Sequence, residues 1–148
     1  MFKTQEANSK GGGKMADVLK FSIPGKPEYI QMVRLAIASI AGKADFDVDD
    51  VEDIKEAVSE ACKIVCCHGC QGFSERYEIV CEVSDEKITI MARDERNVKK
   101  PIEKTERCCT SCPDDGELAM PVMEALMDSV SLEFDAGKSK IIKMVKHR

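Results

Sequence analysis

Six of the chain's eight cysteines fall in two copies of one five-residue pattern, Cys66-Cys67-His68-Gly69-Cys70 and Cys108-Cys109-Thr110-Ser111-Cys112. A Cys-x-x-Cys brings two thiolates onto one ion from a single turn, and two such pairs supply the four sulfurs of a tetrahedral site. A fold that uses both must bring segments far apart in sequence to one place. The expected ligands are Cys67, Cys70, Cys109 and Cys112, with Cys66, Cys108 and His68 as spares. Zinc and an iron–sulfur cluster fit equally, because both accept four cysteines. Two plainer readings stand beside this one: a redox switch without metal, and inert buried thiols.

Disulfides lose ground. The first residues are polar and carry no apolar run like a signal peptide, and no later stretch reaches membrane-spanning length. A reducing, cytoplasmic setting without membrane contact is the expectation. The chain has 148 residues, 43% of them apolar, which suits one domain with a core of ordinary size. Residues 1–16, with Gly11, Gly12 and Gly13 among polar neighbours, read as a flexible tail, and Met15 offers an alternative start to Met1. Residues 17–148 form the domain. A net charge of -5, scarce aromatics and no Trp give no footprint for nucleic acid.

Residues 18–23 alternate as a half-buried strand, ended by Pro24-Gly25. Pro27 suits the first turn of a helix in which Ile30, Val33, Ile37 and Ile40 recur at helical spacing, with Gly42 as the stop. Asp47 can cap a second helix whose stripe is Val51, Ile54, Val58, Ala61 and Val65, ending near Gly69; its acidic side reads as a solvated face. Tyr77, Ile79, Cys81 and Val83 alternate, Ser84-Asp85-Glu86 turns, and Ile88, Ile90 and Ala92 return as a hairpin partner. Residues 93–115 are polar and punctuated by cysteine and proline, a long loop of the kind that serves as a functional lid. Residues 121–128 read as a short helix with Val122, Ala125 and Leu126 inward. Two last strands, about 130–134 and 139–145, flank a turn at Gly137, and the lysines of the second read as a solvated strand edge. The fold class expected is α+β: a two-layer sandwich with a mixed sheet of about five strands and helices on one face.

That order, with Val58-Ser59-Glu60-Ala61-Cys62, His68-Gly69, Arg93-Asp94-Glu95 and Val122-Met123-Glu124-Ala125-Leu126-Met127-Asp128, resembles the bacterial anti-sigma factor serine kinases, members of the histidine-kinase-like (GHKL, Bergerat-fold) ATPases. The resemblance covers residues 17–146. It implies a homodimeric cytoplasmic regulator that holds a sigma factor away from RNA polymerase and phosphorylates a serine of an antagonist protein with Mg-ATP. It also implies roles for single residues. Glu60 matches the general base, Asp94 the carboxylate that recognises adenine, and Gly116 the first glycine of the phosphate cradle.

Departures fall at three parts of the implied nucleotide site. Ile64 stands where the family has a magnesium-binding asparagine, and a hydrocarbon offers no lone pair to a hard cation. Arg96 stands where a glycine lets backbone approach the base. Glu117 and Ala119 replace later glycines of the cradle, and a carboxylate beside a triphosphate is repulsive. Each lost contact costs about 1–3 kcal/mol, enough together to carry micromolar affinity towards millimolar. The expectation is a pseudokinase with Mg-ATP weak or absent, leaning away from an enzyme. Glu60, Ile64 and Cys67 share a helix face that in the family looks into the nucleotide pocket, so the cysteine site is expected at its mouth. The leading function is a regulator that binds a sigma factor or its antagonist and is tuned by that site. The alternatives are an active ATP-dependent protein serine kinase and an iron–sulfur accessory protein.

Overall fold

The computed structural model describes residues 16–66, 76–95, 119–134 and 139–148. In chain order these form β1 (Asp17–Pro24), a 3-10 turn at Pro27–Tyr29, α1 (Ile30–Lys43), α2 (Val48–Cys66), β2 (Arg76–Val83), β3 (Lys87–Glu95), α3 (Ala119–Leu126), β4 (Ser129–Phe134) and β5 (Lys140–His147). The expected tail, the lid beyond Glu95, Gly116 and the ligands Cys67, His68, Cys70, Cys108, Cys109 and Cys112 lie outside the described residues. Among the described residues no helix is long and apolar enough to cross a membrane.

The five strands pair in the order β1-β2-β3-β5-β4. The two-layer α+β sandwich is as expected, but every ladder is antiparallel where the sequence reading had a mixed sheet. Hairpins account for part of this, since strands joined by a short turn can only run antiparallel. In the β2–β3 hairpin the Ser84 N–H donates to Lys87 O at 3.0 Å, and Ser84 Oγ accepts from the N–H groups of Glu86 and Lys87. Alternation puts Tyr77, Ile79 and Cys81 of β2, Ile88, Ile90 and Ala92 of β3, and Ile142 and Met144 of β5 on one buried face. The helices cover that face, with α2 in the middle: it packs on α1, α3 and the sheet. Its Ile54, Ala57, Val58, Ala61, Cys62 and Val65 are all buried.

Helix ends are set by side chains. Asp47 caps α2 as expected, its Oδ1 accepting from the Asp50 N–H at 2.8 Å. α1 ends differently from the sequence reading. Gly42 lies inside the helix, and the left-handed residue after the last turn is Asp45, with φ 61°. The Phe46 N–H then reaches back to Ala41 O at 3.3 Å, and the Phe46 ring is buried against the core. This is a helix-ending loop of the Schellman kind, built on aspartate rather than glycine. α3 also shifts. Because it starts at Ala119, the inward face is Ala119 and Met123, continued by Met127, while Val122 and Ala125 are exposed and Leu126 is half-buried.

The basic last strand is not an edge. β5 lies between β3 and β4, and Lys140 and Lys146 share the helix-facing column with Ile142 and Met144. Lys146 Nζ donates to Leu126 O at 2.7 Å, capping the end of α3, and sits 3.2 Å from Asp53 Oδ2 and 3.4 Å from Asp50 Oδ1. Part of the acidic side of α2 is therefore neutralised by β5 rather than solvated. Burial alone pushes this ammonium down; hydrogen bonds and charges from Asp53 and Asp50 outweigh it and raise the group above its ordinary 10.5. The thiol of Cys81 is pushed up to about 12 by burial, with the neighbouring Glu82 charge adding to the effect.

Four outcomes are expected. A Cβ at Gly42 meets nothing within 4 Å, so Gly42→Ala should raise the urea midpoint by an amount equivalent to about 0.5–1 kcal/mol, and Asp45→Gly should act in the same direction by relieving the left-handed backbone. Lys146→Met should lower stability by about 1–2 kcal/mol at neutral pH. Since the folded-state value is raised, wild type should keep that advantage below the ordinary lysine range and lose it only as pH climbs through the elevated value, which urea unfolding at several pH values would follow. Cys62, Cys66 and Cys81 are each 0% exposed. Peptide mapping after iodoacetamide treatment should find these three unmodified in native buffer and modified in urea.

Candidate functional site

The last turn of α2 ends inside the molecule, where Ile64 is 8% exposed and Cys66 0%. The final carbonyls of a helix have no partner within it, and a buried one must find a donor elsewhere. For Ile64 that donor is Lys140, whose Nζ stands 3.2 Å from the Ile64 carbonyl oxygen. Lys140 is itself positioned by Asp94, whose Oδ1 accepts from the Lys140 backbone N–H at 2.8 Å. Asp94 lies at the end of the inward column Ile88, Ile90, Ala92 of β3 and is fully buried, with Tyr77 of β2 opposite it in register.

One residue of β5 thus connects the carboxylate of β3 with the end of α2. A buried ammonium is tolerated where partial negative charge answers it, and here the C-terminal carbonyl end of α2 does so. One turn before Ile64 on the same helix, Glu60 keeps its carboxylate partly open to solvent, 17% exposed, and its Oε1 accepts from Lys63 Nζ at 2.9 Å. Of the expected site residues, the structure places Glu60 on α2 one turn from Ile64, and Asp94 at the helix end through Lys140. Cys66, expected as a spare ligand, is a fully buried member of the hydrophobic core. Among the described residues no three His, Cys, Asp or Glu side chains gather as a metal site would require.

Lys140 is the residue that sequence reasoning missed. Its signal was parity: in the alternating run Lys140, Ile142, Met144, Lys146, both lysines occupy inward positions. The Ile64 side chain offers no oxygen, and its carbonyl accepts from the Lys140 ammonium.

Arg76, the first residue of β2, lies opposite Glu95, the last of β3, and Ile64, two residues before the end of α2, meets Lys140 of β5.

The sequence matches a profile described as the histidine kinase-like ATPase domain over residues 23–146. The serine-protein kinase RsbW of Bacillus licheniformis is 30% identical over 133 residues, covering 84% of this chain and 83% of that protein. The serine-protein kinase RsbW of Bacillus cereus strain B4264 is 27% identical over 139 residues, covering 84% and 82%. A crystal structure of the RsbU and RsbW domains of a Mycobacterium tuberculosis protein superposes with a TM-score of 0.64 at 14% identity, covering 88% of this chain and 33% of that one, and so supports the fold. With a central α2 carrying Glu60, Asp94 at the end of β3 and three helices on a five-stranded antiparallel sheet, the chain belongs to the histidine kinase-like ATPase family, among the relatives of the anti-sigma factor serine kinases typified by RsbW.

Proposed function

We propose that this chain is a protein-binding regulator of the anti-sigma type, a pseudokinase that takes a sigma factor or its antagonist as partner and works as a homodimer. The observation that carries this reading is the state of the metal-anchor position. Ile64 presents a hydrocarbon there, and the one polar group it does expose to the interior, its carbonyl, accepts from Lys140. A kinase that transfers phosphate from Mg-ATP needs an oxygen-rich seat for the metal, and this chain offers an ammonium instead.

The cysteine clusters supply the tuning element in this reading. Cys67, Cys70, Cys109 and Cys112, with Cys66, Cys108 and His68 as spares, would hold zinc or an iron–sulfur cluster near the former nucleotide pocket. The pairing of Arg76 with Glu95, two described residues that flank these stretches, supports that arrangement. Four thiolates on one ion would tie both stretches together, and their oxidation would release them.

Glu60 favours a second reading, an active ATP-dependent serine kinase. Its carboxylate remains partly open to solvent in the position of the family's general base, and Asp94 is retained. Calorimetric titration with Mg-ATP separates the two: the regulator should bind no more tightly than about 1 mM. Micromolar binding, or phosphate transfer to a serine of an antagonist protein, would establish the kinase. Elemental analysis of anaerobically purified protein should find about one zinc or one cluster per chain, lost in the Cys67→Ser, Cys109→Ser double variant. A metal-free, fully folded wild type would remove the tuning element while leaving the regulator intact.

A further inference from the structure

The side of α1 that faces the core is Ile30, Val33, Ile37 and Ala41, all buried. The opposite side keeps a different spacing. Glu28 in the 3-10 turn, then Met32, Leu35, Ser39 and Gly42, recur at intervals of four, three, four and three residues, and all are exposed. That is the 3.5-residue repeat of a seam along which one helix meets another. Its composition is ill suited to water. Met32 is 64% exposed and Leu35 54%, and glycine inside a helix is unfavourable relative to alanine even where, as at Gly42, an added Cβ would meet nothing. Large apolar side chains and a glycine on one stripe both serve a helix that is closely approached from outside. The flank towards α2 is already closed, because Arg34 pairs with Glu56.

The order of residues along the stripe tells which helix fits. The N-terminal half carries the large side chains and an acid, Glu28; the C-terminal half carries Ser39 and Gly42 and ends on a base, Lys43. Turned end for end, this sequence complements itself. We propose that α1 is the homodimer interface, its outer stripe packing antiparallel on the same stripe of a second copy with the two-fold axis at Leu35. The proposal rests on the reading of the chain as a homodimeric regulator and gives that dimer its surface. Leu35 then meets Leu35 of the second copy, Met32 lies over its Ser39, and Gly42 leaves room for its Pro27–Tyr29 turn. Glu28 faces Lys43 of the second copy in both directions, whereas a parallel pair would bring like charges together, so the charges fix the orientation. A 14-residue helix offers about 21 Å of seam, which makes this a small and reversible contact.

The test is sedimentation equilibrium of the full chain from about 5 to 200 µM, where wild type should pass from monomer to dimer by mass action. Leu35→Asp places two like charges at the axis and should weaken dimerisation about tenfold or more. Glu28→Lys and Lys43→Glu should each weaken it, and an equimolar mixture of those two variants should restore it, because opposite charges then meet at both ends. All three positions are exposed, and circular dichroism with thermal unfolding checks that each variant is folded. A wild-type dimer that Leu35→Asp leaves intact overturns the interface while the homodimer stands on another surface. Failure of the mixture to recover overturns the antiparallel pairing. Loss of partner-protein binding in Leu35→Asp with dimerisation unchanged assigns the stripe to a foreign helix, which also overturns the proposal. A wild type that stays monomeric removes the dimer itself. None of these results bears on the pseudokinase, which the Mg-ATP titration decides.

Discussion

A helix that terminates inside a protein must have its last carbonyls answered there, and the way α2 is answered organises the rest of this fold. The donor is a lysine from the strand that arrives last in sequence, and a carboxylate from a third element fixes that lysine's backbone. Three elements with no local sequence relation, α2, β3 and β5, thereby share one buried polar junction. The same strand repeats the device at its far end, where Lys146 answers the end of α3 and takes up charge from the first turns of α2. Two inward lysines on one strand thus close two helices. Removal of either would leave a buried carbonyl without its donor, which is why neither behaves as an ordinary surface lysine.

The family relationship and these lysines pull the function in different directions. The serine-protein kinase RsbW of Bacillus licheniformis is 30% identical and covers 84% of this chain. At the end of α2, Ile64 carries a hydrocarbon side chain and its carbonyl accepts from the Lys140 ammonium. Fold and family are shared with serine-protein kinases, and the proposal of a partner-binding regulator rests on the chemistry at the end of α2. A fold can outlive the reaction it once housed, and function has to be argued from the site.

Local pattern was legible and long-range placement was not. Alternation gave β1, β2, β4 and β5 within a residue or two, and helical spacing gave α1 and α2, because these periods are imposed by the core each element covers; β3 instead runs on through Arg93–Glu95, residues read as the start of the lid, because Asp94 continues its inward column. The cap at Asp47 was readable for the same reason. Gly42 misled as a stop signal, since aspartate can also adopt the left-handed conformation and the buried ring of Phe46 secures the turn that follows it. The inward face of α3 was misjudged because a helix that begins two residues earlier turns a different stripe to the core. Strand order is invisible in any window of sequence, so the lysines of β5 looked solvated until the strand was seen to lie in the sheet interior. The cysteine pairs were the loudest signal in the chain, yet of the proposed set only the spare Cys66 falls within the described residues, where it packs in the core.

The sheet order β1-β2-β3-β5-β4 has a consequence for synthesis. β5 is an interior strand made after the other elements, so while it is still threading through the ribosomal tunnel β3 has an open margin and β4 lacks its pairing strand. Neither helix end that relies on β5 is closed until that strand has emerged. The nascent domain therefore carries sticky strand margins in need of shielding until β5 takes its place between β3 and β4.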